Sequence, residues 1–185
     1  MRKTGGMTSP ALDTLLARIV ESGLLEDPIA ENGLVYGRAS IDAAGTVVNV
    51  NVDPELEDED EHGDEVDHEA LIAAVSRILS VGESRWRTVL DEVATDIDDA
   101  VDDEPIVEQI DLRDDLEATS VVVFADASLL AFIAPKQFPD SRILVQLNEE
   151  LEVDGVEVRE LDGSESIDFD AIEGLLDEIS DSDEK

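Results

Sequence analysis

The sequence predicts an α+β domain: a mainly antiparallel meander sheet with helices packed on one face, plus an acidic loop and an acidic C-terminal tail. Three observations lead there. Apolar residues recur at helical spacing in four stretches, short runs of β-branched residues alternate in several others, and the 49 carboxylates are gathered in blocks that interrupt both patterns. At 185 residues with 42% apolar content, the chain has enough Leu, Ile and Val to build one hydrophobic core. The expected layout is a single domain over 7–180, containing a mobile acidic loop at 53–68, with 181–185 as a disordered acidic tail.

Ser9 and Pro10 read as a helix cap and a first-turn proline. Leu12, Leu15, Leu16, Ile19 and Val20 then share one face until Gly23. Segments 34–41 and 46–52 are strand-like, joined by a turn over 42–45. Val48, Val50 and Val52 alternate with Val47, Asn49 and Asn51, which predicts a hairpin with one buried face. Leu71, Ile72, Val75, Ile78 and Leu79 keep helical spacing. The break at Val81-Gly82-Glu83-Ser84 leads to a second helical set, Trp86, Leu90, Val93, Ile97 and Val101, so two antiparallel helices are expected. After Pro105 the chain becomes strand-rich, at 120–125, 129–134 and 142–147. A hairpin over 151–161 is expected to close at Asp154-Gly155, because glycine accepts the positive φ of a tight turn. A last helix is expected from Ser166 or Asp168, carrying Phe169, Ile172, Leu175, Leu176 and Ile179.

The formal charge is -37, and it is not spread evenly. Residues 53–69 carry -11, 91–117 carry -12 and 149–185 carry -14, whereas 118–148 are neutral. Binding to nucleic-acid phosphate or to anionic lipid depends on Lys and Arg, so direct nucleic-acid and membrane-surface partners are disfavoured. The cluster Arg77, Arg85 and Arg87 lies between acidic blocks, and intramolecular ion pairs are its expected role. The opening MRKTGG is basic, but no apolar stretch of signal-peptide length follows it. With no spanning segment either, a cytoplasmic location is expected. The absence of Cys excludes a thiol nucleophile and Cys-ligated metals.

Both histidines fall in the run DPELEDEDEHGDEVDHE, residues 53–69. There Asp58, Asp60, His62, Gly63 and Glu69 match positions 1, 3, 5, 6 and 12 of the calcium-loop pattern D-x-[DN]-x-[DN]-G-x5-E. Alternate oxygen ligands would converge on the cation, glycine would permit the reversal, and Glu69 would close the sphere. Against this, His62 replaces an oxygen ligand, Glu65 stands where an apolar side chain is usual, and Val66 cannot serve as the ninth ligand. A solvated loop is therefore the stronger reading and a calcium site the alternative. Glu65-x-x-His68 is half of a di-iron carboxylate motif with no second half. His62 and His68 lack the H-E-x-x-H spacing of a zinc site. No nucleophile elbow or phosphate-binding glycine loop is present, so no catalytic residue or cofactor is assigned and a non-enzymatic protein is expected.

In the second block, Asp98, Asp99, Asp102, Asp103 and Glu104 crowd the carboxyl end of the Trp86 helix, where the macrodipole already carries partial negative charge. Stability does not select such an arrangement. Asp96, Asp99 and Asp103 share a side at i, i+3 and i+7, and are expected to form an outward patch for a basic protein surface. DNA mimicry and immunity-like inhibition of a cationic nuclease are narrower forms of the same idea. A salt-adapted surface, favoured by 3 Lys against 9 Arg, is the bland alternative, and the block distribution argues against it.

Over 120–161 the order is strand, Asp126 turn, strand, Phe138-Pro139, Arg142-Ile143-Leu144-Val145-Gln146-Leu147, then Asp154-Gly155. This order resembles small uncharacterised bacterial domains, some associated with toxin-immunity systems. The resemblance covers about a quarter of the chain. It departs from their usual aromatic-Gly-His before the third strand, where this chain reads Pro139-Asp140-Ser141. It implies a meander sheet and a non-enzymatic role, and offers no catalytic residues to carry over.

Overall fold

A computed structural model describes residues 9–55, 66–100 and 111–160. Helix α1 spans Pro10–Ser22: the Ser9 hydroxyl accepts from Leu12 N, and Gly23 ends it at φ 67, its N–H donating to the carbonyls of Ile19 and Val20. Leu12, Leu15 and Ile19 are buried, whereas Val20, expected on the same face, is 59% exposed. Strand β1 follows at Glu26–Glu31, then β2 at Leu34–Ile41 and β3 at Thr46–Val52. The last two match the expected hairpin residue for residue. Strand β1 was not legible: its EDPIAE sequence holds a proline and three acids, Asp27 sits at φ 48, and the pairing slips between Glu26 and Ile29. A charged, bulged, Pro-bearing strand suits a sheet edge, where it discourages pairing with another chain.

Helices α2 (His68–Leu79), α3 (Glu83–Ala100) and α4 (Leu112–Asp115) form the crossover to β4 (Glu117–Val123). Strands β5 (Ala127–Ala134), β6 (Phe138–Asn148) and β7 (Val153–Glu160) complete a seven-stranded sheet in the sequential order β1 to β7. All neighbours are antiparallel except β3 and β4, which are parallel, as a helical crossover requires. The α+β class and the mainly antiparallel meander are therefore observed. Helices α2 and α3 run in opposite directions as expected, but α2 lies against α1 and the sheet centre while α3 lies over β7 and α4.

One expected turn is corrected. Asp154-Gly155 does not close a hairpin: β7 runs straight through it, with Gln146 opposite Gly155 and Leu147 opposite Val153, so Asp154 is the extra residue of a bulge. The reversal lies at 148–152, where Asn148 Oδ1 accepts from Glu150 N and Glu152 N, and Leu151 takes the left-handed position at φ 61. Pairing β7 along β6 as far as Ser141–Glu160 satisfies more backbone groups than a short hairpin closed on itself. A two-residue turn stands instead at Asn32-Gly33, with φ 52 and φ 82, between the paired residues Glu31 and Leu34.

One sheet face supplies Val35, Val50, Val121, Leu130, Phe132 and Ile143 to the main core, together with the apolar faces of all four helices. The other face carries a smaller buried cluster, Val122, Phe124, Leu129, Ala131 and Leu144, which among the described residues contains no helical one. No described helix is long and apolar enough to cross a membrane. The expected last helix, Phe169 to Ile179, and the tail at 181–185 lie outside the described residues, as do the loop positions Asp58, Asp60 and His62 and helix position Asp103.

Candidate functional site

Strand register decides where the described acids stand. One row of paired residues crosses the sheet from β2 to β7: Val35, Val52, Val123, Ser128, Leu147 and Val153. Beyond that row, at one end of the sheet, lie Glu31, Asp53, Glu55, Asp126, Glu149, Glu150 and Glu152, all exposed except the half-buried Asp53. Helix α3 brings further carboxylates to the same end. Its Trp86 ring lies 5.8 Å from that of Phe132, deep in β5, while Glu92 Oε2 accepts from Val153 N on the crossing row. Asp96, Asp98 and Asp99 are exposed and lie about 6–10 Å further along the helix at 1.5 Å per residue.

The amino end of α2 is also here. Its last turn is at the opposite end, where the Leu79 carbonyl accepts from Asp42 N. Asp67 caps α2 by accepting from Ala70 N, and Glu69 sits in its first turn, exposed. Negative charge at these amino termini complements the helix dipole, whereas at the carboxyl end of α3 it opposes it. The nine Lys and Arg side chains of the described residues lie elsewhere. Arg77, Arg85, Arg87, Lys136, Arg142 and Arg159 lie toward the opposite end, Arg18 and Arg38 lie within α1 and mid-β2, and the Arg113 guanidinium pairs with Asp91, next to Glu92 on α3.

Burial, and after it the neighbouring acids, raises the pKa of two groups here. Glu55 is held above the ordinary carboxylate range, by partial burial first and then by Asp126 and Asp53. Tyr36 is raised by burial, opposed by its hydrogen bond with Asn32, and raised further by Glu31 and Asp53. Glu55 also occupies φ 53, its N–H donating to Asp53 Oδ1 at 2.8 Å. Because its folded-state pKa is raised, its charge opposes folding. The cost is absent at low pH, where the group is protonated in both states, and develops as pH rises through the ordinary Glu range to the raised value. Glu55→Gln is therefore expected to stabilise the fold at neutral pH, by an amount within the exposed-charge range of up to about 1 kcal/mol. Denaturant titrations at acid and neutral pH check this; a gain that is largest at low pH contradicts it.

The candidate metal positions divide. Glu69 is described, and Asp58, Asp60 and His62 are not. Among the described residues no group of three His, Asp or Glu side chains is placed to hold a metal ion. His68 is turned inward: its Nε2 lies 3.0 Å from the Ala11 carbonyl, so that nitrogen donates its proton there and ties α2 to α1. The patch residues Asp96 and Asp99 belong to a row that begins at Glu92. The row therefore follows the flank of α3 turned to the β7 edge and does not lie directly opposite its buried stripe.

The expectation for Arg77, Arg85 and Arg87 is also corrected. None of them forms an ion pair among the described residues; Arg113 with Asp91 and Asp111, and Arg159 with Glu157, do so instead. Glu31, Asp126 and the Glu149-Glu150 turn were missed as site residues because sequence shows charge per segment, whereas the end of the sheet gathers residues from four separate connections and from helix α3. Compared with protein-family models, curated proteins and solved structures, the chain matches none.

Proposed function

We propose that this chain is a non-enzymatic binding protein that engages a basic protein surface through the acidic end of its sheet. One observation carries the proposal: each of the three acidic blocks sends some of its described acids (Asp53 and Glu55; Glu92, Asp96, Asp98 and Asp99; Glu149, Glu150 and Glu152) toward one end of the sheet, while others of the same blocks, among them Asp115, Glu117 and Glu160, stand toward the other end. Gathering like charges costs about 0.5 kcal/mol per pair at 8 Å even in bulk water, and the Arg113 ion pair reaches only Asp91, short of Asp96 to Asp99 and the turn acids. A cationic partner removes that cost on binding and is steered toward the end by its field. The resemblance of residues 120–161 to immunity-associated domains points the same way, toward inhibition of a cationic protein, with imitation of phosphate rows as its narrower form.

The test compares two sixfold variants with equal charge change. One neutralises Asp96, Asp98, Asp99, Glu149, Glu150 and Glu152 as amides. The other neutralises Asp42, Glu83, Asp114, Glu117, Asp140 and Glu160. Binding to a lysine- and arginine-rich protein such as a histone, measured at about 50 and 500 mM salt, is expected to weaken at least tenfold for the first variant and under threefold for the second. Salt is expected to weaken the parent chain strongly. Equal losses in both variants would mean that the charge acts diffusely, as a solubilising or salt-adapted surface does, and would overturn the proposal.

A further inference from the structure

The two edges of the sheet are built differently. At one edge β1 carries Glu26, Asp27, Pro28 and Glu31, with Asp27 at φ 48 and a slip in its pairing, all of which oppose the addition of a further strand. At the other edge β7 runs from Val156 to Glu160 in regular register with β6 and without a proline, and among the described residues no strand pairs with its outer side. Val158 is 41% exposed there, although Ile143 opposite it on β6 is fully buried. On the reverse side of β7, Glu157 and Arg159 pair with one another at 2.6 Å while staying about one third exposed. The stretch is also a gap in the charge of a chain at -37: over the paired segments 141–145 and 156–160, Arg142 and Arg159 balance Glu157 and Glu160.

We infer that β7 of a second copy of this chain adds to that edge, antiparallel across a twofold axis at Val158. When a strand pairs with its own copy in this way, each residue stands opposite the one equally far from the axis on the other side. With the axis at Val158, Glu157 meets the partner's Arg159, Arg159 meets the partner's Glu157, and the two exposed valines cover one another. Both charge pairs are attractive. Moving the axis by one residue sets Glu157 against its own copy or Arg159 against its own copy, and like charges directly opposite destabilise a ladder. Moving it to Val156 sets Val158 against Asp154 at the bulge of β7. Charge complementarity therefore selects one register.

Other occupants fit less well. A cationic peptide would meet Arg142 and Arg159, which stand opposite one another on β6 and β7, and an acidic peptide would meet the repulsion of the whole chain. A second copy meets that repulsion too, -37 against -37, but it alone brings a strand whose charges match this one in register. Salt screens the long-range repulsion more than it screens pairs in contact, so the dimer is expected to strengthen as salt rises. That sign is opposite to the one expected for a basic partner. The inference does not rest on the acidic-end proposal, because Val158 stands about 16 Å along β7 from the crossing row at Val153, at about 3.3 Å per residue.

Sedimentation equilibrium of the full-length chain at about 50 and 500 mM salt is expected to show monomer and dimer in exchange, with more dimer at the higher salt. Glu157→Arg and Arg159→Glu, each alone, set like charges opposite in both cross-strand pairs and are expected to weaken the dimer by about tenfold or more. Mixed in equal amounts, the two variants are expected to form a heterodimer within about threefold of the parent affinity, because each presents the charges that the other lacks. The pair within each chain stays broken in both variants, so recovery on mixing reports the contact between chains. The chain contains no cysteine, and Val158→Cys is expected to form a disulfide-linked dimer at least tenfold faster than Val47→Cys, although position 47 is the more exposed at 58%. Directly opposed residues of antiparallel strands lie about 4.5–5.5 Å apart at Cα, within disulfide reach. A parent chain that stays monomeric at the higher salt would leave the edge to a strand of another protein. That result, no heterodimer on mixing, or equal cross-linking at positions 158 and 47 would each overturn the inference.

Discussion

Phe132→Ala is expected to destabilise the fold by about 3–5 kcal/mol, a large part of the roughly 5–15 kcal/mol that holds a domain of this size together. Phe132 is 0% exposed on β5, where its ring meets that of Trp86 from α3 at 5.8 Å and an interplanar angle of 37°. The loss has two parts. Removing the ring forfeits its transfer free energy and leaves a cavity between a central strand and a helix. It also ends a tilted aromatic pair worth about 0.5–1.5 kcal/mol beyond area burial. Phe132→Leu fills most of the space and is expected to cost about 1.5 kcal/mol or less beyond the lost pair. Val47→Ala, at a 58% exposed position, is expected to stay within about 0.5 kcal/mol. Urea unfolding of the three variants checks the order. A Phe132→Ala loss below about 1 kcal/mol would show that α3 is not packed on β5 as described. Because α3 also carries Asp96 to Asp99 past the sheet end, the same variant is expected to loosen the acidic end.

How much of this could be read from sequence depends on whether the determinants were local. The cap at Ser9, the stop at Gly23 and the alternation of Val48, Val50 and Val52 are local, and each stands where expected. Asp154-Gly155 was misread because a tight-turn dipeptide only permits a reversal. The competing determinants, the side-chain turn at Asn148 and the long pairing with β6, lie outside the dipeptide. Asn32-Gly33 carried the same signal and was passed over because the acids and Pro28 of β1 hide the strand before it. Of the expected patch on α3, Asp96 and Asp99 are exposed and Asp103 lies outside the described residues; the acids of the neighbouring turns were not legible. Asp53, Asp126 and Glu150 meet only through the pairings of β3 with β4, β4 with β5, and β6 with β7. Convergence of charge is a property of topology, and composition by segment does not contain it.

Asp115 shows that an acidic block need not serve one purpose. It belongs by sequence to the second anionic block, yet it is 2% exposed, and its Oδ2 accepts from both Lys136 N and Gln137 N at 2.9 Å. The carboxylate thus fixes the turn between β5 and β6 against the end of α4, and its charge is neutralised by oriented backbone donors and not by a partner. Hydrogen bonds to a charged group contribute about 1.5–3 kcal/mol each, and truncation also withdraws this acceptor from two N–H groups in a partly buried turn. Asp115→Ala is accordingly expected to cost about 3 kcal/mol or more, whereas Asp115→Asn, which keeps an oxygen acceptor of the same size, is expected to cost less than half as much. Equilibrium denaturation measures both, and amide exchange at Lys136 and Gln137 is expected to accelerate in the Ala variant. Similar losses in the two variants would mean that the charge itself, not the acceptor geometry, holds the turn. Neither substitution is expected to change binding of a basic partner to the folded protein, since Asp115 is buried toward the opposite end of the sheet from Asp53, Asp99 and Glu150.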